Sequence, residues 1–271
     1  LLGEQPEPDE TDDEALAQVA ELYDDSVPEV STMDERRAGA HTGADRASQR
    51  PTSSIEDDSF AHVLVDEAQD LSPMQWRTVS RRGRHASWTI VGDAAQSSWP
   101  MPEEAAAAQA EALRGKDQSV FRLSTNYRNS REIFTMAAEF AGAEIPGADL
   151  PVAVRDTGVD PVVDEVAAPG LPTSVRSAVE EMGDEMQGTV GVVVPVGWRD
   201  QVERWVGERD RERLPVLEAL DTKGLEFDGI VLVEPDRIVA EADTGAHTLY
   251  VVLTRATQRL HVLGATHHWR P

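Results

Sequence analysis

Two short apolar runs, GVVVP at 191–195 and GIVLV at 229–233, constrain this chain more than any other feature. Each is too short for a buried helix and has no polar face. A strand of that kind needs cover on both sides, which means a parallel sheet under helices. The same texture extends in both directions. Strands are predicted at 60–65, 87–92, 119–123, 189–195, 216–220, 228–233 and 259–263, and helices at 73–82, 102–113, 130–141, 171–186, 199–208 and 244–256. The alternation gives an α/β class, in which ligands sit at the carboxyl ends of strands. The Pro-, Gly- and Ala-rich stretch 142–170 reads as irregular loop.

The 271 residues suggest one or two domains at roughly 100–200 residues each. Charge is unevenly spread. Residues 1–58 hold 17 acidic residues against four arginines, about half of the whole chain's net charge of −25. That head reads as linker over 35–58, with one amphipathic helix at 13–24 carried by Leu16, Val19, Leu22 and Tyr23. The helix suits docking on its own domain or on a partner. A net charge of −25 excludes DNA binding through a blanket positive surface, because phosphate neutralisation supplies most non-specific affinity. There is no cysteine, which excludes disulfides and thiolate metal sites and suits a reducing cytoplasm. No apolar run reaches the ~18 residues of a membrane span, and no signal peptide is visible. The opening Leu1-Leu2, without Met, is the reading expected of a fragment of something longer.

Five constellations sit at predicted strand ends. In HVLVDEAQD, 62–70, a strand runs into Asp66 and Glu67. Adjacent carboxylates there can divide the work of a nucleotide hydrolase, one holding Mg²⁺ and one orienting water. The same pair also suits a solvated turn, with Asp70 or Ser72 as N-cap of the next helix. In WTIVGDAAQSSW, 88–99, Gln96 could sense a terminal phosphate, and Trp99 offers a face for a stacked base or a core contact. In RLSTNYRNS, 122–130, Arg128 stands at a loop-to-helix junction, suited to a phosphoryl group or to a surface ion pair. In DTKGLEFDGIVLV, 221–233, Gly224 permits a sharp turn and Glu226 precedes a buried strand. In TLYVVLTRATQRL, 248–260, Arg255 lies off a helical apolar stripe and is positioned to act as an arginine finger.

DEAQD, GDxxQS, NYR, KGLEFD and LYVxLTRA, in this order, resemble motifs II to VI of the UvrD/Rep group of superfamily 1 helicases. The resemblance covers about 60–131 and 216–264. It implies RecA-like domains with ATP and Mg²⁺ in the cleft between them: the end of a first domain over 59–123 and a second over 124–271, behind an acidic head at 1–58. It implies Asp66 as Mg²⁺ ligand, Glu67 as water-activating base, Gln96 as the motif III glutamine, poised toward a terminal phosphate or a catalytic water, and Arg128 and Arg255 as phosphate contacts. Gly224 and Glu226 fall near nucleotide and ribose, and Trp99 at a stacking position for single-stranded nucleic acid.

The chain departs from that pattern in three ways. No GxxxxGK[ST] phosphate loop occurs, so an upstream part of the same polypeptide is expected to carry it, and these residues alone should not turn over ATP. Glu218 and Leu220 stand where the family has a strand-contacting Thr and His. Only 95 residues separate Arg128 from Lys223, too few for the usual accessory domain. The wording DEAQDLSPMQWR and the short interval are most similar to HelD-type factors, which bind bacterial RNA polymerase and use ATP to release or recycle it. That implies RNA polymerase as partner, with the head at 1–58 as the tail of an insertion. A DNA-repair helicase or translocase and a non-catalytic scaffold are the other readings. His247, His261, His267 and His268 lack the i, i+4 spacing of helical metal ligands and imply no metal role.

Overall fold

The computed structural model describes residues 60–270, and the predicted helix at 13–24 lies outside them. The described chain is a mixed α/β fold with parallel sheets only. A small layer comes first. β1 (His62–Val65) pairs in parallel with β2 (Ser87–Ile90), joined by α1 (Pro73–Arg82) and followed by α2 (Pro102–Ala112). α1 begins at a capping box: the Ser72 hydroxyl accepts from the Gln75 N–H, and the Gln75 side chain accepts from the Ser72 N–H. Val63, Val65, Ala68, Trp76, Ala86 and Ala108 form this layer's core. Only one face of β1 is covered. Leu64 is 68% exposed, so the apolar run HVLV behaves here as an alternating strand.

The larger layer is a five-stranded parallel sheet in the order β5-β9-β8-β6-β7. Its strands are β5 (Val162–Glu165), β6 (Val190–Val194), β7 (Val216–Glu218), β8 (Phe227–Val233) and β9 (Ala256–Gly264). The runs GVVVP and GIVLV form β6 and β8, both central and buried. Their side chains alternate between two cores. Val193, Ile230, Leu232, Leu260 and Val262 face α3 (Arg131–Glu144) and α7 (Gly245–Arg255). Val190, Val192, Val194, Val231 and Val233 face α4 (Leu171–Glu185) and α5 (Arg199–Val206). The result is a sheet covered on both sides, as its composition requires.

Three expectations are corrected. No strand forms at 119–123: Val120, Phe121 and Leu123 are all more than four-fifths exposed, and the chain pairs one step later. β3 (Thr125–Ser130) pairs there with β4 (Val152–Arg155), with an irregular register between Asn126 and Ser130. Arg128 therefore lies on a strand rather than at a loop-to-helix junction. The 142–170 segment is not all loop, since it holds β4 and β5. Their short runs, VAVR and VVDE, gain strand identity only from their neighbours. A further helix, α6 (Pro235–Ala240), has no counterpart among the predicted ones.

Candidate functional site

Asp66 and Glu67 follow the last residue of β1. Glu67 has φ 48° and ψ 44°, a left-handed conformation that costs a non-glycine residue about 1–2 kcal/mol. The turn is held by the Glu67 N–H donating to Asp66 Oδ1 at 2.9 Å. Glu67 Oε2 accepts from Gln69 Nε2 at 2.6 Å. Gln69 Oε1 accepts from the Asp93 N–H at 3.0 Å, which ties the first constellation to the second.

Asp93 caps the 3-10 turn Ala94–Gln96 with one oxygen, accepting from the Ala95 N–H at 2.9 Å. Its other oxygen accepts from Gln96 Nε2 at 2.8 Å. Gln96 Oε1 then accepts from Arg255 Nη2 at 2.7 Å. Arg255 is the last residue of α7 and is 3% exposed. Its bonds go to neutral groups: the Gln96 amide and, at 3.5 Å, the Leu225 carbonyl. Its buried Nε has no partner among the described residues. Burial first, and then the charge of Arg128, pull its pKa below the ordinary guanidinium value, while Glu67, Glu226 and Asp93 oppose the shift. A buried cation bonded only to neutral acceptors is set up to receive an anion.

Arg128 is placed differently. Its Nε pairs with Glu226 Oε1 at 2.7 Å, with both side chains about half exposed. Such a pair contributes about 1 kcal/mol or less and opens readily to a stronger anion. Gly224 has φ 75°, in the left-handed region where glycine carries no penalty. Trp99 is partly buried, and its indole N–H is enclosed without a partner among the described residues. Asp66, Glu67 and Gln96 follow the carboxyl ends of β1 and β2. Gly224 and Glu226 precede the amino end of β8, as the sequence places them before a buried strand, and Arg255 immediately precedes β9.

The structure adds several contributors that the motif spacing does not reveal. Lys223 Nζ bridges Asp70 Oδ2 at 2.5 Å and Ser98 Oγ at 2.9 Å. Asp70 Oδ1 accepts from the Ser98 N–H and hydroxyl, each at 3.1 Å. His247 Nδ1 meets the Ala95 carbonyl at 2.9 Å, and buried Asn129 donates to the Thr254 and Ala256 carbonyls at 2.8 and 2.6 Å. These links join the β1–β2 layer, β3 and α7 around one site. Gln69, Asp70 and Lys223 all lie inside the motifs, yet Asp93, Ser98 and the Lys223–Asp70 link are remote in sequence, so spacing carries no signal of them. His261 pairs with Asp164 at 2.9 Å, and His267 Nδ1 accepts from Trp269 Nε1 at 3.4 Å.

A family model described as the UvrD/REP helicase N-terminal domain matches residues 4–99, a span that takes in Asp66, Glu67, Gln96 and Trp99. No curated protein matches the chain. Among solved structures the chain is similar to the C-terminal domain of a possible DNA helicase from Lactobacillus plantarum WCFS1, at 16% identity and a TM-score of 0.39, covering 51% of this chain and 87% of that one. It is also similar to the methylated PRRSV nsp10 helicase, at 14% identity and a TM-score of 0.28, covering 76% of this chain and 36% of that one.

Proposed function

We propose that this chain is part of an ATP-hydrolysing motor of the superfamily 1 helicase type, and that the motor acts on RNA polymerase rather than by tracking along DNA. The ATPase reading is carried by one observation. Glu67, Gln96 and the buried Arg255, whose direct hydrogen bonds all go to neutral acceptors, lie on a single hydrogen-bonded chain, with Arg128 and Glu226 beside it.

Roles follow from that arrangement. Asp66 would hold Mg²⁺, and Arg128 and Arg255 would take the terminal phosphate of ATP. Bound Mg²⁺–ATP supplies a polarised phosphoryl group open to attack by water. Glu67 orients that water and accepts its proton. Gln96 holds Arg255 at the site through its amide oxygen. Glu226 leaves Arg128 when phosphate arrives and is free for a ribose hydroxyl. The sequence contains no GxxxxGK[ST] run, so the phosphate cradle comes from outside these residues, and the 271-residue chain by itself is expected to show no meaningful turnover.

The polymerase reading is supported by charge and by what fills the far end of the sheet. Glu218 stands where a strand-contacting residue is expected, and its Oε1 accepts from the Gly197 N–H at 2.9 Å. Glu241 Oε1 accepts from the neighbouring Val196 N–H at 2.6 Å. Two backbone donors suited to a phosphate are thus already occupied by carboxylates. Trp99 favours the second reading, a DNA translocase.

Glu67→Gln in the full-length polypeptide tests the ATPase. It keeps the shape and removes the base, so nucleotide affinity should hold while hydrolysis falls by about 10²-fold or more. Equal loss of binding and turnover would assign Glu67 a structural role instead.

A further inference from the structure

We propose that Gln69 is a positioning residue for Glu67, and that Gly92 is the opening that admits it. This rests on the ATPase reading and adds a residue that the motif resemblance leaves without a role.

Gln69 is held at both ends of its amide by groups that allow one orientation. Glu67 Oε2 can only accept, so it takes Nε2. The Asp93 N–H can only donate, so it takes Oε1. The flipped amide would set oxygen against oxygen and N–H against N–H. Glu67 needs such a guide. Its backbone is left-handed, and its side chain has three rotatable bonds. One of its oxygens is tied by Gln69, which leaves Oε1 for water.

A side chain at residue 92 would press on the amide oxygen of the guide and shift it from its two partners. A Cβ there would lie 2.8 Å from Gln69 Oε1 and 3.3 Å from both the Ala68 Cβ and the Ala68 nitrogen. Gly92 is not among the glycines with positive φ, so backbone freedom is not what the position requires. Space is.

The same amide also registers the base against the arginine. From Gln69 the chain continues through Asp93 to Gln96 and Arg255, and Gln96 is as uniquely oriented as Gln69: its Nε2 meets an acceptor and its Oε1 a donor. Displacing Gln69 therefore loosens Glu67 at one end while Arg255 keeps its place at the other. The loss should appear in the chemical step and not in nucleotide binding.

The test is steady-state ATP turnover by the full-length polypeptide, with Glu67→Gln, Gln69→Ala, Gly92→Ala and the two doubles that contain Gln69→Ala. Gln69→Ala should lower kcat about 10-fold with KM within about twofold of wild type. In the Glu67→Gln background it should change the residual rate by less than about twofold, because it acts through the carboxylate already removed. Gly92→Ala should lower kcat when Gln69 is present and add nothing when it is not. Wild-type kcat in Gln69→Ala, or losses that multiply in full with Glu67→Gln, would overturn the proposal. If Gln69→Ala does not fold, Gly92→Ala decides alone: lower kcat at unchanged KM supports the proposal, and unchanged kcat refutes it. Normal turnover by Glu67→Gln would instead remove the ATPase reading, and this proposal with it.

Discussion

Arg255 is buried and Arg128 is half exposed, and that difference sets what each can do. A guanidinium already desolvated and held by the Gln96 amide loses little freedom when an anion arrives. Arg128 must first release Glu226. In the proposed site, the two arginines would thus supply a fixed contact and a movable one. A third charged side chain, remote from the site, shows the same logic in a structural role. Glu132 opens α3 and accepts from the Thr157 and Gly158 N–H groups at 3.2 and 2.6 Å and from the Thr157 hydroxyl at 3.1 Å. Its own backbone N–H first, and then that of Gly158, lower its pKa from 4.5 to about 2. A carboxyl depressed in the folded state contributes stability that is complete above 4.5 and is lost as pH falls toward 2. Glu132→Gln should therefore flatten the fall in Tm between pH 4.5 and about pH 2, the window set by its unfolded and folded values, as measured by thermal melts. A slope equal to wild type would show that the 156–158 loop is held by other groups.

At the scale of elements, the sheet owes its order to β6 and β8, while its margins depend on side-chain ties. The last residues show this. Asp236 on α6 accepts from the Trp269 N–H at 2.6 Å, the His268 N–H at 3.1 Å and the Thr266 hydroxyl at 2.5 Å. That clasp seats Trp269, 4% exposed, against Phe140 of α3, with ring centroids 5.9 Å apart in an edge-on arrangement. Asp236→Ala leaves two backbone donors short of a carboxylate and frees the tail. It should cost about 1–3 kcal/mol, read as a lower denaturation midpoint with unchanged far-ultraviolet circular dichroism. Quenching of Trp269 fluorescence by iodide should rise at the same time. A midpoint equal to wild type would show that Trp269 packing alone retains the tail.

At the scale of the whole molecule, net charge governs which partners can approach. A net of −25 repels phosphate over distances near a Debye length, ~8 Å at 0.15 M salt. The sheet order reverses between β6 and β8, and ligands of such sheets favour the crevice at that switch point. Here that end carries Glu218 and Glu241, each bonded to a backbone N–H of the β6–α5 loop. The full-length polypeptide should therefore bind single-stranded DNA weakly at physiological salt, and the polymerase reading proposed above expects RNA polymerase to co-purify with it after nuclease treatment. The paired change Glu218→Thr with Leu220→His should raise DNA affinity and confer DNA-stimulated ATPase. Processive unwinding of a tailed duplex by the unaltered protein, with no polymerase recovered, would replace the polymerase reading with the translocase.

What the residues determine by themselves is local. Uninterrupted runs of Val, Ile and Leu demand cover on both faces, so β6, β8 and the parallel α/β class follow from composition and length alone. Adjacent carboxylates, a glycine suited to a sharp turn and an arginine beside an apolar stripe are legible because each is a short-range pattern. The tertiary structure decides whatever depends on a partner far away in the chain. It leaves Val120, Phe121 and Leu123 exposed and shifts the strand to Thr125–Ser130, because β4 offers hydrogen bonds only to the later residues. It makes the modest runs VAVR and VVDE into strands. It places Gln69 between Glu67 and Asp93, Lys223 on Asp70, and Arg255 on Gln96, contacts that span up to 159 residues. A hydrogen bond needs about 3 Å between donor and acceptor, and no sequence spacing encodes that distance until the sheet and its helices have brought the ends together.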